Sequence, residues 1–373
     1  MARTGCNPSQ QAYDRHVAYW LLICAGTIFG MILLGAVTRL TQSGLSMVDW
    51  HPVTGIIPPL TEADWQKEFF KYQQFPEYQK KNLGMGISEF KTIFLFEYFH
   101  RVLGRFIGML FLLPFLFFYF TDRLRAGLTP KLVVLFILGG FQGVLGWYMV
   151  KSGLVDDPNV SQYRLTAHLG TAVVIYSAIL WVAWSLLFKH KEQLFNMRAG
   201  ALATSCAIFL MILSGGLVAG TKAGYVYPTF PLMGNSFFPE ELYSMTPVWL
   251  SAFEDLATIQ FNHRIFAYFI VLLVSTFTFF ALKSGPTGSA KRGILCMLAM
   301  MIVQVILGIS TLVMNMPIAL ATAHQGGAIL LLTASLFVTH SLIMGNAKNS
   351  VGNNFGSDFT TEGESTLAHS GRM

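Results

Sequence analysis

Long apolar stretches alternate with short polar connections along most of the chain. Each of eight stretches is long enough to cross the roughly 30 Å hydrocarbon core of a bilayer as a helix. They cover residues 19–38, 93–120, 132–150, 165–188, 199–220, 257–282, 293–313 and 318–344. The pattern therefore predicts an all-α integral membrane protein with eight transmembrane helices.

The composition agrees with a protein whose solvent is lipid. Hydrophobic residues make up 53% of the 373 residues and charged residues 12%, which is far from the composition of a soluble domain. The first fifteen residues are polar and do not resemble a signal peptide, so we expect the first helix to be retained. The segment 345–373 is rich in Gly, Ser, Asn and Thr and predicts a disordered tail.

Lysine and arginine are concentrated on one predicted side of the membrane. Thirteen lie in the two tails and in the connections after the second, fourth and sixth helices, whereas the short opposite loops contain Lys151, Arg164 and Lys222. This bias predicts that both termini face the cytoplasm, or the matrix in a mitochondrial protein. The net charge of +6 is then a topology signal and does not indicate nucleic-acid binding.

The chain also contains an internal repeat. The matching segments of the two halves are GAVTRLTQSGL (Gly35) with GGLVAGTKAGY (Gly215), EYFHR (Glu97) with QFNHR (Gln260), FQGVLG (Phe141) with VQVILG (Val303), and TAHLGTA (Thr166) with TAHQGGA (Thr322). Each half has four helices, an even number, so both halves enter the membrane in the same sense. We therefore expect two four-helix bundles related by a pseudo-two-fold axis along the membrane normal.

The repeat divides the chain into five parts. An N-terminal tail (1–18) precedes the N-terminal bundle (19–188), an inner connection (189–198) leads to the C-terminal bundle (199–344), and a C-terminal tail (345–373) follows.

The repeat pairs His100 with His263 and His168 with His324, all near the predicted outer ends of even-numbered helices. A charge at a helix centre costs about 2.5–3.5 kcal/mol on insertion scales, so matched intramembrane histidines indicate a function. Two neutral imidazoles facing each other across a bundle can hold one haem iron. Nearby glycines leave room for a ring or for a close helix contact: Gly104, Gly108, Gly170, Gly326 and Gly327.

These histidines and the arginines near them have other interpretations. A lone histidine between helices usually makes a structural hydrogen bond, and zinc usually requires three or four close ligands, which these pairs do not supply. Arg101, Arg105 and Arg264 follow the histidines and could bind haem propionates bidentately. Arginines near helix ends also extend to lipid headgroups, which is the alternative for them.

The EYFHR segment, the two TAH motifs and GLSMVDWHPVTGIIPPL after the first helix resemble the haem A synthase family over roughly residues 15–345. The resemblance implies conversion of haem O to haem A, by oxidation of the C8 methyl to a formyl group, for use in terminal oxidases. It implies a haem b cofactor in one half and haem O as the substrate in the other. One branch of the family has a cysteine pair in an outer loop, which this sequence lacks.

The resemblance further implies partners and a location. Haem O synthase and an electron partner that the sequence does not identify would work with the protein in membrane lipid, and a homo-oligomer stays open. The short N-terminus suits a bacterial inner membrane, and a mature mitochondrial inner-membrane protein would look the same.

The repeat is imperfect where Glu97 is matched by Gln260. Glu97 lies three residues before His100, so a helix puts both on one face and the carboxylate could act on a haem bound there. The competing interpretation is an ion pair with Arg101, four residues along. With a catalytic Glu97, substrate haem binds at His100 and His168 with Arg101 and Arg105, and haem b binds at His263 and His324 with Arg264.

Two other classes of membrane protein share some of these features. A bis-histidine dihaem b-type cytochrome would carry electrons and keep both haems. A transporter would have broken helices at the midplane, whereas the polar residues here cluster at the outer ends of the helices. In the first outer loop, Thr61 and Asp64 predict a helix start, and Trp65, Phe69 and Phe70 an apolar side. That helix could form a lid or rest on the membrane surface.

Overall fold

The computed structural model describes residues 8–49, 56–154, 158–188 and 197–344; the predicted disordered tail lies outside this part of the chain. The α-helices of the described residues are α1 (Pro8–Leu40), α2 (Glu62–Gln73), α3 (Pro76–Lys80), α4 (Ile87–Phe120), α5 (Thr129–Gly153), α6 (Gln162–Leu187), α7 (Arg198–Thr221), α8 (Ser251–Glu254), α9 (Leu256–Lys283), α10 (Gly288–Val313) and α11 (Ile318–Met344).

Eight of these helices are long and apolar enough to span a membrane, which confirms the predicted fold class. The largest differences from the predicted starts are in α1, which begins at Pro8, and α4, which begins at Ile87. Hydropathy marks the part of a helix that crosses lipid, whereas α1 continues through polar residues, where Gln10 donates to Asp14 at 3.1 Å. In α4 the extra turns begin at a capping interaction, in which the carboxylate of Glu89 accepts from the backbone N–H of Gly86.

Each half of the chain forms a ring of four helices in contact. In the first half α4 contacts α1 and α5, and α6 contacts α5 and α1; in the second half α9 contacts α7 and α10, and α11 contacts α10 and α7. The halves meet through α1 with α11, α6 with α7, and α6 with α11. A pseudo-two-fold axis requires matched contacts of this kind; the axis itself stays a prediction.

Burial differs strongly among the spans, because α11 is packed against four other spans while α5 has most of its surface exposed. Apolar side chains on α5 such as Val134 and Ile137 suit contact with lipid tails. A cysteine within an apolar span is usually a buried small residue. That is correct for Cys24 and wrong for Cys206 and Cys296, which lie on exposed helix surfaces.

The first outer loop contains the predicted helix. Thr61 caps α2, and the Thr61–Asp64 capping box confirms its predicted start. The rings of Trp65 and Phe94 are 5.2 Å apart and those of Phe69 and Phe90 are 5.1 Å apart, so α2 packs on the first turns of α4. The side chain of Phe70 is 64% exposed, so it does not share the contact that Trp65 and Phe69 make with α4.

Candidate functional site

The four repeated histidines occur on helices that stand opposite each other in their rings. His100 is on α4 and His168 on α6, and their charges are close enough to interact. His263 on α9 and His324 on α11 have the same relationship. The structure thus brings together both predicted pairs, one in each half.

A glycine on a neighbouring helix lies against each histidine. A methyl group added at Gly35 of α1 would lie 3.1 Å from Cε1 of His100, and one at Gly215 of α7 would lie 3.4 Å from Cε1 of His263. For the other pair, Gly146 of α5 and Gly308 of α10, the added methyl would lie 3.0 and 2.8 Å from Cε1 of His168 and His324. The imidazoles therefore lie directly on the backbone of the adjacent helix.

Two glutamines hold the helices that carry the second histidine of each pair. The side-chain amide of Gln142 donates to the backbone carbonyl of His168, and that of Gln304 donates to the carbonyl of His324, both at 2.8 Å. Oε1 of each glutamine is buried without a hydrogen-bond partner. These glutamines occupy equivalent positions in the repeat, within FQGVLG and VQVILG.

Glu97 is buried, with 3% of its surface exposed, and surrounded by hydrogen-bond donors. Its Oε2 accepts from the backbone N–H of Met47 and lies 2.8 Å from the hydroxyl of Ser46, which follow the end of α1. Its Oε1 accepts from Arg101 at 2.5 Å. The competing ion pair is therefore present, and three donors converge on a carboxylate one helical turn from His100.

The equivalent position in the second half donates hydrogen bonds to its loop, whereas Glu97 accepts them. Gln260 is also 3% exposed, and its side-chain amide donates to the carbonyls of Gly224 and Tyr227. Tyr227 is the repeat equivalent of Met47, and Val226, the equivalent of Ser46, has no hydroxyl. The two halves therefore differ both at this helix position and in the loop residues that contact it.

The repeated arginines hold loops. Arg101 donates to the carbonyls of Met47 and Asp49, and Arg264 donates to those of Tyr227 and Leu232. Both guanidinium groups point into the protein, so extension to lipid headgroups does not describe either of them. Binding of propionates by these two residues and by Arg105, one turn further along α4, stays a prediction.

The first outer loop is tied down beside the N-terminal histidine pair. Tyr98 is buried, and its hydroxyl donates to the carbonyl of Ile56 at 2.5 Å, so this residue anchors the loop. Lys81 donates to the carbonyl of Pro158 and to the side chain of Asn159, each at 2.7 Å, in the connection between α5 and α6. Two outer loops therefore meet over the N-terminal bundle.

A second buried carboxyl, Glu77 of α3, lies in this loop with 4% of its surface exposed. The hydroxyl of Tyr72 donates to it at 3.2 Å and itself accepts from Asn82 at 2.7 Å. Burial raises the pKa of Glu77 to about 7; the hydrogen bond from Tyr72 opposes this rise and the negative charge of Glu97 adds to it. The loop therefore contains an acid that titrates near neutral pH.

The residues present suit a flat group ligated by two imidazoles. Each of the four histidines is only partly buried although its helix is packed in a four-helix ring, which leaves space beside the imidazole. Nδ1 of His100, His168 and His324 is buried and makes no hydrogen bond among the described residues. Fold and site together define a multi-pass membrane protein with two matched pairs of intramembrane histidines.

Comparison with known proteins identifies the family. The chain belongs to the COX15–CtaA family of cytochrome oxidase assembly proteins, whose model matches residues 18–336.

Relatives from bacteria and animals are similar over nearly the whole chain. A protein of Nitrosospira multiformis named "Heme A synthase" is 48% identical over 336 residues, 89% of this chain and 94% of its own length. A Parvibaculum lavamentivorans protein of the same name is 46% identical over 327 residues, 87% of this chain and 94% of its own. The human protein "Heme A synthase COX15" is 44% identical over 346 residues, 90% of this chain and 84% of its own.

Proposed function

We propose that the protein is a haem A synthase, an oxidoreductase that oxidises the C8 methyl of haem O to a formyl group and so supplies haem A to terminal oxidases. Family membership and the similarity to proteins of that name support the reaction class. The observation that carries the catalytic assignment is the buried carboxylate of Glu97, set one helical turn from His100 where the other half has Gln260.

In this proposal the N-terminal half binds haem O. His100 and His168 ligate the substrate iron, with Arg105 and Arg101 as the candidates for its propionates. Oxidising a methyl to a formyl group, with water as the source of the oxygen atom, releases four protons and four electrons. A fixed carboxylate at the methyl would accept protons and stabilise positive charge on the carbon. Ser46, Met47 and Arg101 keep Glu97 in one orientation, as such a role requires.

The C-terminal half holds haem b between His263 and His324, with Arg264 as the candidate for a propionate. Bound there, haem b supplies one-electron redox chemistry. Gln260 offers the ring no carboxylate, because its amide is donated to the loop carbonyls of Gly224 and Tyr227. Electrons would pass on to a separate electron partner, and haem O synthase would supply the substrate.

The proposed location is the bacterial inner membrane, with both termini in the cytoplasm and both haem sites near the outer face. The thirteen lysines and arginines on the predicted inner side support this orientation. The mitochondrial inner membrane is the alternative location, because a mature mitochondrial protein would have the same sequence pattern.

The test is extraction and mass identification of haems from purified protein produced in cells that also make haem O. We compare the wild type with Glu97→Gln, and use Glu89→Gln, at an exposed carboxylate on the same helix, as the control. We expect haem b with haem O or haem A in the wild type and in the control. In Glu97→Gln we expect retained haem b and haem O without haem A, a loss of conversion on the order of 100-fold or more.

Other results would contradict specific parts of the proposal. Two equivalents of haem b per chain in every variant would make the protein an electron-carrying cytochrome. Undiminished haem A in Glu97→Gln would remove Glu97 from the reaction, and wild type without any haem would overturn the ligand assignment. Retained haem b in the variant shows that it has folded.

A further inference from the structure

One of the four histidines differs from the others in its surroundings. Nδ1 of His263 lies 3.0 Å from the hydroxyl oxygen of Ser214 on α7. Nδ1 of His100, His168 and His324 is equally buried and makes no hydrogen bond among the described residues. The contact therefore distinguishes one haem-site histidine of the C-terminal half from its counterpart in the N-terminal half.

The repeat shows which residue replaces Ser214 in the first half. Gly35 and Gly215 are equivalent in sequence, and each lies against the Cε1 atom of its own histidine. This shared contact fixes the register, so the residue before each glycine is also equivalent. Ser214 therefore corresponds to Leu34, whose side chain cannot form a hydrogen bond with His100.

The chemistry of imidazole gives this difference a consequence. An imidazole that binds iron through Nε2 carries its proton on Nδ1, and an acceptor for that proton fixes the tautomer, the ring orientation and the donor strength of the ligand. At His263, Ser214 is that acceptor. At His100 the equivalent position is Leu34, which offers no acceptor, and Nδ1 makes no hydrogen bond among the described residues, so the ligand is less well oriented and less basic.

We propose that Ser214 is a positioning residue that makes the C-terminal half a retaining haem site, while Leu34 leaves the N-terminal half an exchanging one. The inference rests on the proposed function, in which one half keeps its cofactor and the other must release its product. It is independent of Glu97, because it concerns another helix and another atom. The Glu97/Gln260 difference and the Leu34/Ser214 difference nevertheless lead to the same assignment, with the substrate haem in the N-terminal half and haem b in the C-terminal half.

The test measures haem retention and redox potential in the purified full-length protein, prepared without haem O so that only the cofactor is followed. Haem transfer to excess apomyoglobin gives the dissociation rate, and a spectroscopic titration gives the midpoint potential. We expect Ser214→Ala to release haem roughly 10–100-fold faster, as for other lost second-sphere partners. Its midpoint potential should rise, because a less basic ligand stabilises ferric iron less.

Two further variants separate positioning from general structure. Ser214→Thr retains a hydroxyl and should restore both the wild-type rate and the wild-type potential. Ser205→Ala removes another buried hydroxyl of α7, which contacts Ser335 and Thr339 and none of the four histidines, and should change neither. Conversely, Leu34→Ser should slow the release of haem O from the N-terminal half when haem O is supplied.

The outcomes that count against the inference are distinct from those against the proposed function. Equal transfer rates and equal potentials in the wild type and Ser214→Ala would overturn the role of Ser214 and leave haem A synthesis untouched. Equal changes in Ser205→Ala and Ser214→Ala would also overturn it, because loss of any α7 hydroxyl would then suffice. Wild type without haem would overturn the proposed function itself.

Discussion

The side-chain amide of Gln142 donates a hydrogen bond to the backbone carbonyl of His168 across 2.8 Å, and Gln304 and His324 repeat this relationship at the same distance. In each half the glutamine lies one helical turn before the glycine that contacts the same histidine, Gly146 or Gly308. One face of the third helix therefore contacts both the backbone and the imidazole of a histidine on the fourth helix. We infer that the third helix of each half orients the fourth.

Removing this hydrogen bond should loosen the histidine of one half and leave the other half unchanged. We expect Gln304→Met to weaken haem b binding roughly 10-fold or more, because a buried second-sphere contact is lost. Haem content per chain and the rate of haem transfer measure the effect. The control is Gln142→Met, which removes the matching hydrogen bond to the carbonyl of His168 in the other half and should leave haem b binding unchanged. Equal loss of haem b in both variants would contradict an orienting role for Gln304.

Adding one methyl group at a histidine contact should have a larger effect than adding it elsewhere on the same helix. In Gly146→Ala the new methyl meets His168 at 3.0 Å, so the imidazole must shift, at a cost of roughly 1–3 kcal/mol. Gly143→Ala on the same helix meets nothing within 4 Å. We expect Gly146→Ala to lose bound haem O while retaining haem b, and Gly143→Ala to bind both, as judged by pigment extraction. Wild-type haem O binding by Gly146→Ala would show that the imidazole has freedom to move.

Much of the architecture could be predicted because its signals are local. Eight apolar stretches gave eight helices, Thr61 and Asp64 marked the start of α2, and the spacing of Glu97 and Arg101 predicted an ion pair that the structure contains. The repeat showed which histidines correspond. All of these depend on residues within one helix or on comparing one half with the other.

The remaining features depend on contacts between distant segments. Ser46 contacts Glu97 at a sequence separation of 51 residues, and Ser214 contacts His263 at a separation of 49. No pattern within either segment predicts these contacts. Gly170 and Gly326 allow close contact between helices and do not make room for a ring. Methyl groups added there would lie 2.8 Å from Leu213 and Leu33 of the opposite half. Comparing the repeats position by position could have revealed the Leu34–Ser214 difference.

Arg39 should contribute to the stability of the contact between the two halves. At the end of α1 it donates to the carbonyls of Ala219 and Gly220 in the last turn of α7, at 3.1 and 3.0 Å. Hydrogen bonds from a charged donor contribute about 1.5–3 kcal/mol each, so Arg39→Met should lower the melting temperature in detergent measurably. The control is Lys222→Met, which removes the exposed contact of Lys222 with Gln42 and should have little effect. Equal melting temperatures for Arg39→Met and the wild type would contradict this role.

The outer loop should become less stable as the pH rises toward neutrality, because of Glu77. Its neutral form is favoured in the folded loop, where its pKa is about 7, whereas the ordinary value is 4.5. The folded state therefore binds more protons than the unfolded state between these values. The contribution of neutral Glu77 to the stability of the folded loop is fully present below about pH 4.5. It decreases as the pH rises from there and is lost above about pH 7. The groups that face Glu77 are Tyr72, Glu97 and Lys81.

Glu77→Gln removes this dependence, because an amide keeps an acceptor for the hydroxyl of Tyr72 and cannot ionise. We expect limited proteolysis of the loop, or hydrogen exchange of its amides, to be similar in the wild type and the variant at about pH 5. At about pH 8 the wild-type loop should be cleaved or exchanged faster than the variant. Comparing the two proteins at the same pH cancels the effect of pH on the protease and on intrinsic exchange. A ratio that stays constant between the two pH values would mean that the carboxyl of Glu77 does not change its charge in this range.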